Sequence, residues 1–454
     1  MSEAPPTYTS LADIYTSPDP ARYAQIRAAF VAKFSSEPDF FCRAPGRVNL
    51  IGEHVDYCGF PVLPMAIEQD IVIAVRVIKG DKELVISNTD AAFPDHIRRS
   101  TDLAISEVKW WSYVMAGYRG VSERVNSIMP GVKLLVDGAV PKAAGLSSSS
   151  ALVCCSALAT ATLLDLTLSK SELAELCARS ERHVLTQGGG MDQAISFLGT
   201  RGRAQLINFN PLKCDPVTLP QGVAFVIANT MVNKWKADNS DYNNRVADCR
   251  LAAKLIALKA GKDWRSVKTL HNVMTILGLN PTQLKALVNT HIDITPYTKE
   301  QLLSVFEIDE EEFKEIIVGA DSVEFLLYNR AAHVCSEAER VDRFYELCTS
   351  TQDVAELGAL MNGSHYSLRD LFDVSIDELE ELTTLCREQG ALGSRLTGAG
   401  FGGCTVSMVE CGKVEGFMKG VYEGYFAKRG VKEVDVGQYL FSSLPGQGAC
   451  VFRE

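Results

Sequence analysis

Val140–Ala151 reads VPKAAGLSSSSA and stands between the strand-like run KLLVDG (133–138) and a long apolar stretch. Gly145 lets backbone come close to a ligand. The serines at the start of the following helix offer hydroxyls beside unpaired N–H groups and the positive end of the helix dipole. That combination suits a triphosphate. A serine cap accounts for one or two such hydroxyls, but not for Ser147, Ser148, Ser149 and Ser150 in a row. The stretch is not a Walker loop, since no G-x-x-x-x-G-K-[ST] occurs in the chain, nor do the H-R-D and D-F-G sets of protein kinases.

Outward from this loop the pattern is mixed. Arg22–Phe34 has amphipathic helical spacing, Ile71–Ile78 and Glu83–Ser87 are rich in β-branched residues, and Val132–Val136 is another apolar run. Helical patterns over Trp111–Val125 and Ser149–Leu164 separate these strands, so the first 210 residues read as α+β. The longest apolar stretch, Ala151–Leu168, carries Ser156, Thr160, Thr162 and Asp165 and reads as a buried helix instead of a membrane span. A strand over Val223–Asn229 opens the remainder, which is mostly helical from Tyr242 to Gly390, with Asp309–Glu312 as a solvated helix start. Two glycine-rich turns flanked by strands follow, Ser394–Val409 and Gln438–Phe452. At 454 residues the chain exceeds the roughly 250 to 300 at which single cores stop growing. Two domains are expected, 1–214 and 215–454, with a ligand cleft between them.

Two further segments carry chemistry. In Ser180–Gln193, SERHVLTQGGGMDQ, a helix runs out into three glycines and an isolated carboxylate, Asp192. That run is conformationally expensive unless backbone turns sharply or lies against a ligand; Asp192 is a candidate base, or else a turn aspartate after a helix cap. In Cys42–Tyr57, CRAPGRVNLIGEHVDY, Arg43 and Arg47 alternate with apolar residues and lead into Glu53, His54 and Asp56. Carboxylate and imidazole packed this densely suit recognition of several hydroxyls, while taken alone the segment also fits a strand and loop with surface charges. Gly398, Gly400 and Gly403 match G-x-G-x-x-G by spacing, but CTVSMV after them alternates like a strand and lacks the helix start a pyrophosphate needs.

Composition narrows the class. Apolar residues make up 46% and charged ones 22%, as in a globular enzyme. Forty-five basic against fifty-six acidic residues give a net charge of −11, which disfavours nucleic acid and anionic membrane as partners. The thirteen cysteines follow no disulfide-scaffold or zinc spacing, Cys154 and Cys155 lie in an apolar run, and the N-terminal MSEAPPTYTS shows no secretory pattern. A reduced, cytoplasmic setting is expected, with a monomeric enzyme whose anionic substrate meets a locally positive site.

Taken together, GRVNLIGEHVDY, GLSSSSA and LTGAGFGGC resemble, in this order and over nearly the whole length, the sugar-binding motif, phosphate loop (143–151) and C-terminal glycine motif (397–403) of GHMP kinases of the galactokinase branch. The resemblance implies an α+β, two-lobed fold, with a C-terminal domain built on a ferredoxin-like core and the active site in the cleft. It implies that Arg47 and Asp192 flank the anomeric hydroxyl, that Glu53, His54 and Asp56 lie in the sugar loop, and that Gly145, Ser147, Ser148 and Ser149 hold phosphate. It matches the magnesium ligands to Ser149 and Glu181, and makes Trp110 and Lys236 candidates for contact with ATP. Cys58 in DYCG, LPMAIEQD and GGGMDQAISFL look most like N-acetylgalactosamine kinase, although fungal galactokinases share the cysteine; Tyr242, in a Tyr-x-x-Arg context with Arg245, is the galactokinase residue near the sugar. The expected reaction is transfer of the γ-phosphoryl group of ATP to the C1 hydroxyl of N-acetylgalactosamine, with some activity on galactose. The alternatives are a galactokinase acting mainly on galactose and, from another class, a non-catalytic galactose and ATP sensor.

Overall fold

The computed structural model describes residues 3–125, 129–142, 144–184, 188–232 and 240–454. Its first sheet has seven strands in the order Thr7–Tyr8, Cys450–Phe452, Phe40–Ile51, Leu63–Ile78, Gly131–Gly138, Glu83–Asn88, His96–Arg99. Period-2 alternation divides the two faces. Phe40, Cys42, Ile73 and Val75 join the larger core under the helices Trp110–Arg124 and Ser148–Leu163, whereas Phe41, Val72 and Ala74 meet Tyr23, Ile26 and Phe30 of the Pro20–Phe34 helix. Buried on both faces, the Phe40–Ile51 strand reads as the near-continuous apolar run FFCRAPGRVNLI, interrupted by two fully buried arginines.

The helix after the serines spans Ser148–Leu163, within one residue of the expected Ser149–Leu164, so the apolar stretch runs past its end, and Asp165 beyond it takes φ +54°. Cys154 and Cys155 are buried in it, and all thirteen cysteines are free thiols.

The second sheet has the order Gly393–Thr397, Cys404–Glu410, Val223–Asn229, Leu440–Ser443, antiparallel throughout. Numbered along the chain the strands run 2-3-1-4. Helices join the first strand to the second and, through Val414–Val421, the third to the fourth, which is the β-α-β-β-α-β path of a ferredoxin-like core. The helical middle of the chain lies between its first two strands, and Asp309 caps the Glu310–Ile316 helix by accepting from Glu311 and Glu312 N–H, the solvated start the sequence implied. Position 214/215 falls within the strand Lys213–Val217, and Cys450–Phe452 returns to the first sheet beside Arg43. No helix among the described residues is long and apolar enough to cross a membrane.

Candidate active site

Pairing between the Phe40–Ile51 and Leu63–Ile78 strands slips between Pro45 and Arg47. Pro45 has no N–H for the ladder, and the irregularity re-aims the side chain that follows. The serine loop lies against this slip, where Arg47 N–H donates to Leu146 O at 3.1 Å and a Cβ on Gly46 would stand 2.8 Å from the same oxygen. Arg47 is buried, and its Nε and Nη2 both lie 2.9 Å from Asp192 Oδ1 while Nη1 donates to Gly145 O. Asp192 sits in the first turn of the Met191–Leu198 helix, entered through Gly190 at φ +107°. Ser150 Oγ donates to its other oxygen at 3.3 Å.

One cavity brings together Arg47, Glu53, His54, Asp56, Glu181, Asp192 and Tyr242. Asp56 Oδ2 accepts from Met191 N–H at 3.4 Å, and the loop approaches so closely that a Cβ on Gly189 would stand 2.3 Å from Tyr57 N. That contact gives the glycine run its reason. His54 takes φ +63°, with Nδ1 2.9 Å from Tyr57 Oη and Nε2 3.1 Å from Ala399 O of the C-terminal glycine turn. Tyr242 and Tyr57 stand edge to face at 5.8 Å. Burial, then the carboxylates Asp56, Asp192, Glu181 and Glu53, push the Tyr242 phenol far above its ordinary pKa, so it is a neutral hydroxyl. A larger cavity of about 910 Å³ opens past Gly188–Gly190, but its Arg265 is paired with Glu312 at 2.9 Å and its Arg179 lies 3.9 Å from Glu175.

The serine loop packs backbone to backbone on the C-terminal glycine turn. A Cβ on Gly145, at φ +73°, would meet Thr397 O at 2.6 Å, and one on Gly398, at φ +86°, would meet Gly145 O at 2.4 Å. Ser147 turns the chain at φ +61° and its Oγ is buried without a hydrogen-bond partner, while Ser148 and Ser149 are half-exposed in the first helical turn. Trp110 lies apart from the cavity: its Nε1 donates to Pro94 O at 3.0 Å and its ring lies 5.6 Å from Phe93, over which Lys142 of the loop segment places its ammonium at 4.0 Å. Lys236 and Ala143 fall outside the described residues.

Among the described residues no group of three or more His, Cys, Asp or Glu stands ready to hold a metal. One buried carboxylate, Glu181, in the cavity and half-exposed hydroxyls at the serine helix fit a hard, oxygen-seeking cation that draws its other ligands from phosphate and water.

The galactokinase galactose-binding signature matches residues 28–77, the GHMP kinases N terminal domain matches 112–200, and the GHMP kinases C terminal domain matches 344–414. The galactokinase of Dictyostelium discoideum is 40% identical across 98% of this chain and 97% of its own. The chain belongs to the galactokinase branch of the GHMP kinase family. It is a sugar kinase, and kinases of this family use ATP. The galactokinase of Saccharomyces cerevisiae is 31% identical over 99% of this chain and 98% of its own. Among solved structures, Lactococcus lactis galactokinase complexed with galactose superposes with a TM-score of 0.76 at 25% identity, covering 94% of this chain and 99% of that one. Methanococcus jannaschii mevalonate kinase, at 16% identity and a TM-score of 0.56, shares the fold. The likeness to N-acetylgalactosamine kinase drawn from the sequence is not supported by these relatives, which are named galactokinases.

Sequence reasoning overlooked Tyr57 in the cavity wall and the C-terminal-half residues Glu337, His333 and Arg395 behind the sugar loop. Tyr57 carried a signal, its place at the end of EHVDY. The other three carried none, being single polar residues in otherwise regular elements.

Proposed function

We propose that the protein transfers the γ-phosphoryl group of ATP to the C1 hydroxyl of galactose. The observation that carries this reading is the buried Arg47–Asp192 pair, which stands in one cavity with Glu53, His54, Asp56 and Tyr242 and touches the serine loop through Gly145. Arg47 favours the ionised form of Asp192, the form able to accept the hydroxyl proton, and also fixes where that carboxylate points. Glu53, His54, Asp56 and Tyr242 are the donors and acceptors for the sugar hydroxyls. Gly145 and Ser147 to Ser149 cradle the phosphates with backbone N–H and hydroxyl groups, and Trp110, joined to the loop segment through Phe93 and Lys142, borders the adenine. Lys236 is assigned to the nucleotide on the family pattern alone. Ser149 and Glu181 would hold Mg²⁺, which when bound neutralises charge on the phosphate oxygens. Phosphoryl transfer passes through a loose transition state, so alignment and charge stabilisation carry the rate. We also propose a cytoplasmic monomer with its units divided near residue 215.

Coupled ADP release measured with galactose, N-acetylgalactosamine and no sugar tests this reading. Galactose-dependent release is expected, with kcat/KM higher for galactose than for the amino sugar. The reverse order restores the N-acetylgalactosamine assignment; binding of sugar and ATP without ADP release supports a sensor.

A further inference from the structure

The sugar loop is held from behind by side chains of the C-terminal half. Glu337, on the Leu327–Thr349 helix, is fully buried. Its Oε1 accepts from Gly52 N–H at 2.9 Å, from Glu53 N–H at 3.2 Å and from Ser364 O–H at 2.6 Å, and its Oε2 accepts from Arg340 Nε at 2.7 Å. His333, one turn earlier, places Nε2 3.1 Å from Glu53 O and Nδ1 2.8 Å from Ser367 Oγ. Arg395 donates to Glu53 Oε2 at 3.0 Å and to Asn49 O at 2.6 Å.

The loop needs such support. Gly52 at φ +98° and His54 at φ +63° leave it outside any strand or helix ladder, so the buried N–H groups of residues 52 and 53 have to find acceptors elsewhere. One carboxylate oxygen serves both. We infer that Glu337 is a positioning residue for sugar recognition, fixing the backbone from which Glu53, His54 and Asp56 face the cavity. Its carboxyl is held down to about 2 against the cost of burial, by Arg340 first and then His333 and Arg395, so it acts as a fixed anion at any physiological pH. The serine loop receives none of the contacts described for Glu337, so the effect belongs to sugar binding and not to ATP.

The inference rests on galactose phosphorylation by this cavity, so wild-type turnover of galactose is measured first; its absence refutes that reading and the loop's role with it. Galactose and ATP are then varied separately for Glu337→Ala and Glu337→Gln in the full chain. Loss of acceptor bonds from a charged group is expected to raise KM for galactose about tenfold or more in the alanine variant and less in the glutamine variant, with KM for ATP within about twofold. If neither variant folds, Ser364→Ala, which removes a single bond to the same oxygen, is expected to raise KM for galactose by about twofold to fivefold alone. Unchanged KM for galactose in a folded variant, or a fall in kcat matching the folded fraction with both KM values kept, overturns the inference.

Discussion

Arg47 holds Asp192 with two nitrogens of one guanidinium and reserves the third for Gly145 O, so a single side chain sets both the orientation of the candidate base and its distance from the serine loop. Two substitutions separate those roles. Asp192→Asn keeps the shape and loses the proton acceptor, and is expected to lower kcat by about a thousandfold or more while calorimetry still detects galactose binding; a variant that keeps most of its kcat removes Asp192 as the base. Arg47→Lys keeps the charge but not the planar fork, and one ammonium cannot satisfy Asp192 and Gly145 O in the same geometry. We expect kcat to fall by about tenfold to a hundredfold at unchanged fold, checked by turnover beside circular dichroism.

Between elements, the site depends on the serine loop and the C-terminal glycine turn touching through backbone. Each of Gly145 and Gly398 would drive a Cβ into the other segment's carbonyl, and both have φ values at which a side chain costs about 1 to 2 kcal/mol in conformation alone. Gly398→Ala is therefore expected to lower Tm by several degrees and to raise KM for ATP more than KM for galactose, read by thermal melting and kinetics; equal change in both KM values would mean that the turn does not act through the loop. Much of this layer was legible in the sequence. β-branched and apolar runs marked the strands, GLSSSSA marked the loop, and CTVSMV showed that the G-x-G-x-x-G look-alike leads into a strand. What escaped was contact at long range: His333 meets Glu53 across 280 positions, and no spacing within a helix reports a partner so distant. The amino-sugar preference is left unsupported by the relatives for a related reason, since short matches such as DYCG leave the space around the sugar's C2 unspecified.

At the scale of the molecule, two buried carboxylates tie distant segments to the strand and loop that carry CRAPGRVNLIGEHVDY. Asp70 accepts from Tyr15 Oη and Arg43 Nε at 2.6 Å and from Arg22 Nη1 at 2.7 Å, joining the N-terminal lead-in and first helix to the Phe40–Ile51 strand. Glu337 joins a C-terminal helix to the loop after that strand. Burial opposes ionisation of both, but Arg43 and Arg22 hold the Asp70 carboxyl below its ordinary value, and Arg340 leads the groups that hold Glu337 at about 2. Because the folded values lie below the unfolded ones, at about 4, each carboxylate contributes stability that is fully present above that pH and is lost as pH falls through the folded value. Asp248, pushed up to about 6 by burial, has the opposite sign and acts in the window from about 4 to 6, so it does not mask the acid limb. Ligand-free Tm is accordingly expected to fall steeply as pH is lowered from about 4.5 to 2.5, and Glu337→Gln, which takes up one proton fewer, to flatten that limb. Parallel melting curves for variant and wild type across this range would mean that Glu337 titrates alike in the folded and unfolded protein, and a steeper acid limb in the variant would mean that the loop amides are held by a neutral acid.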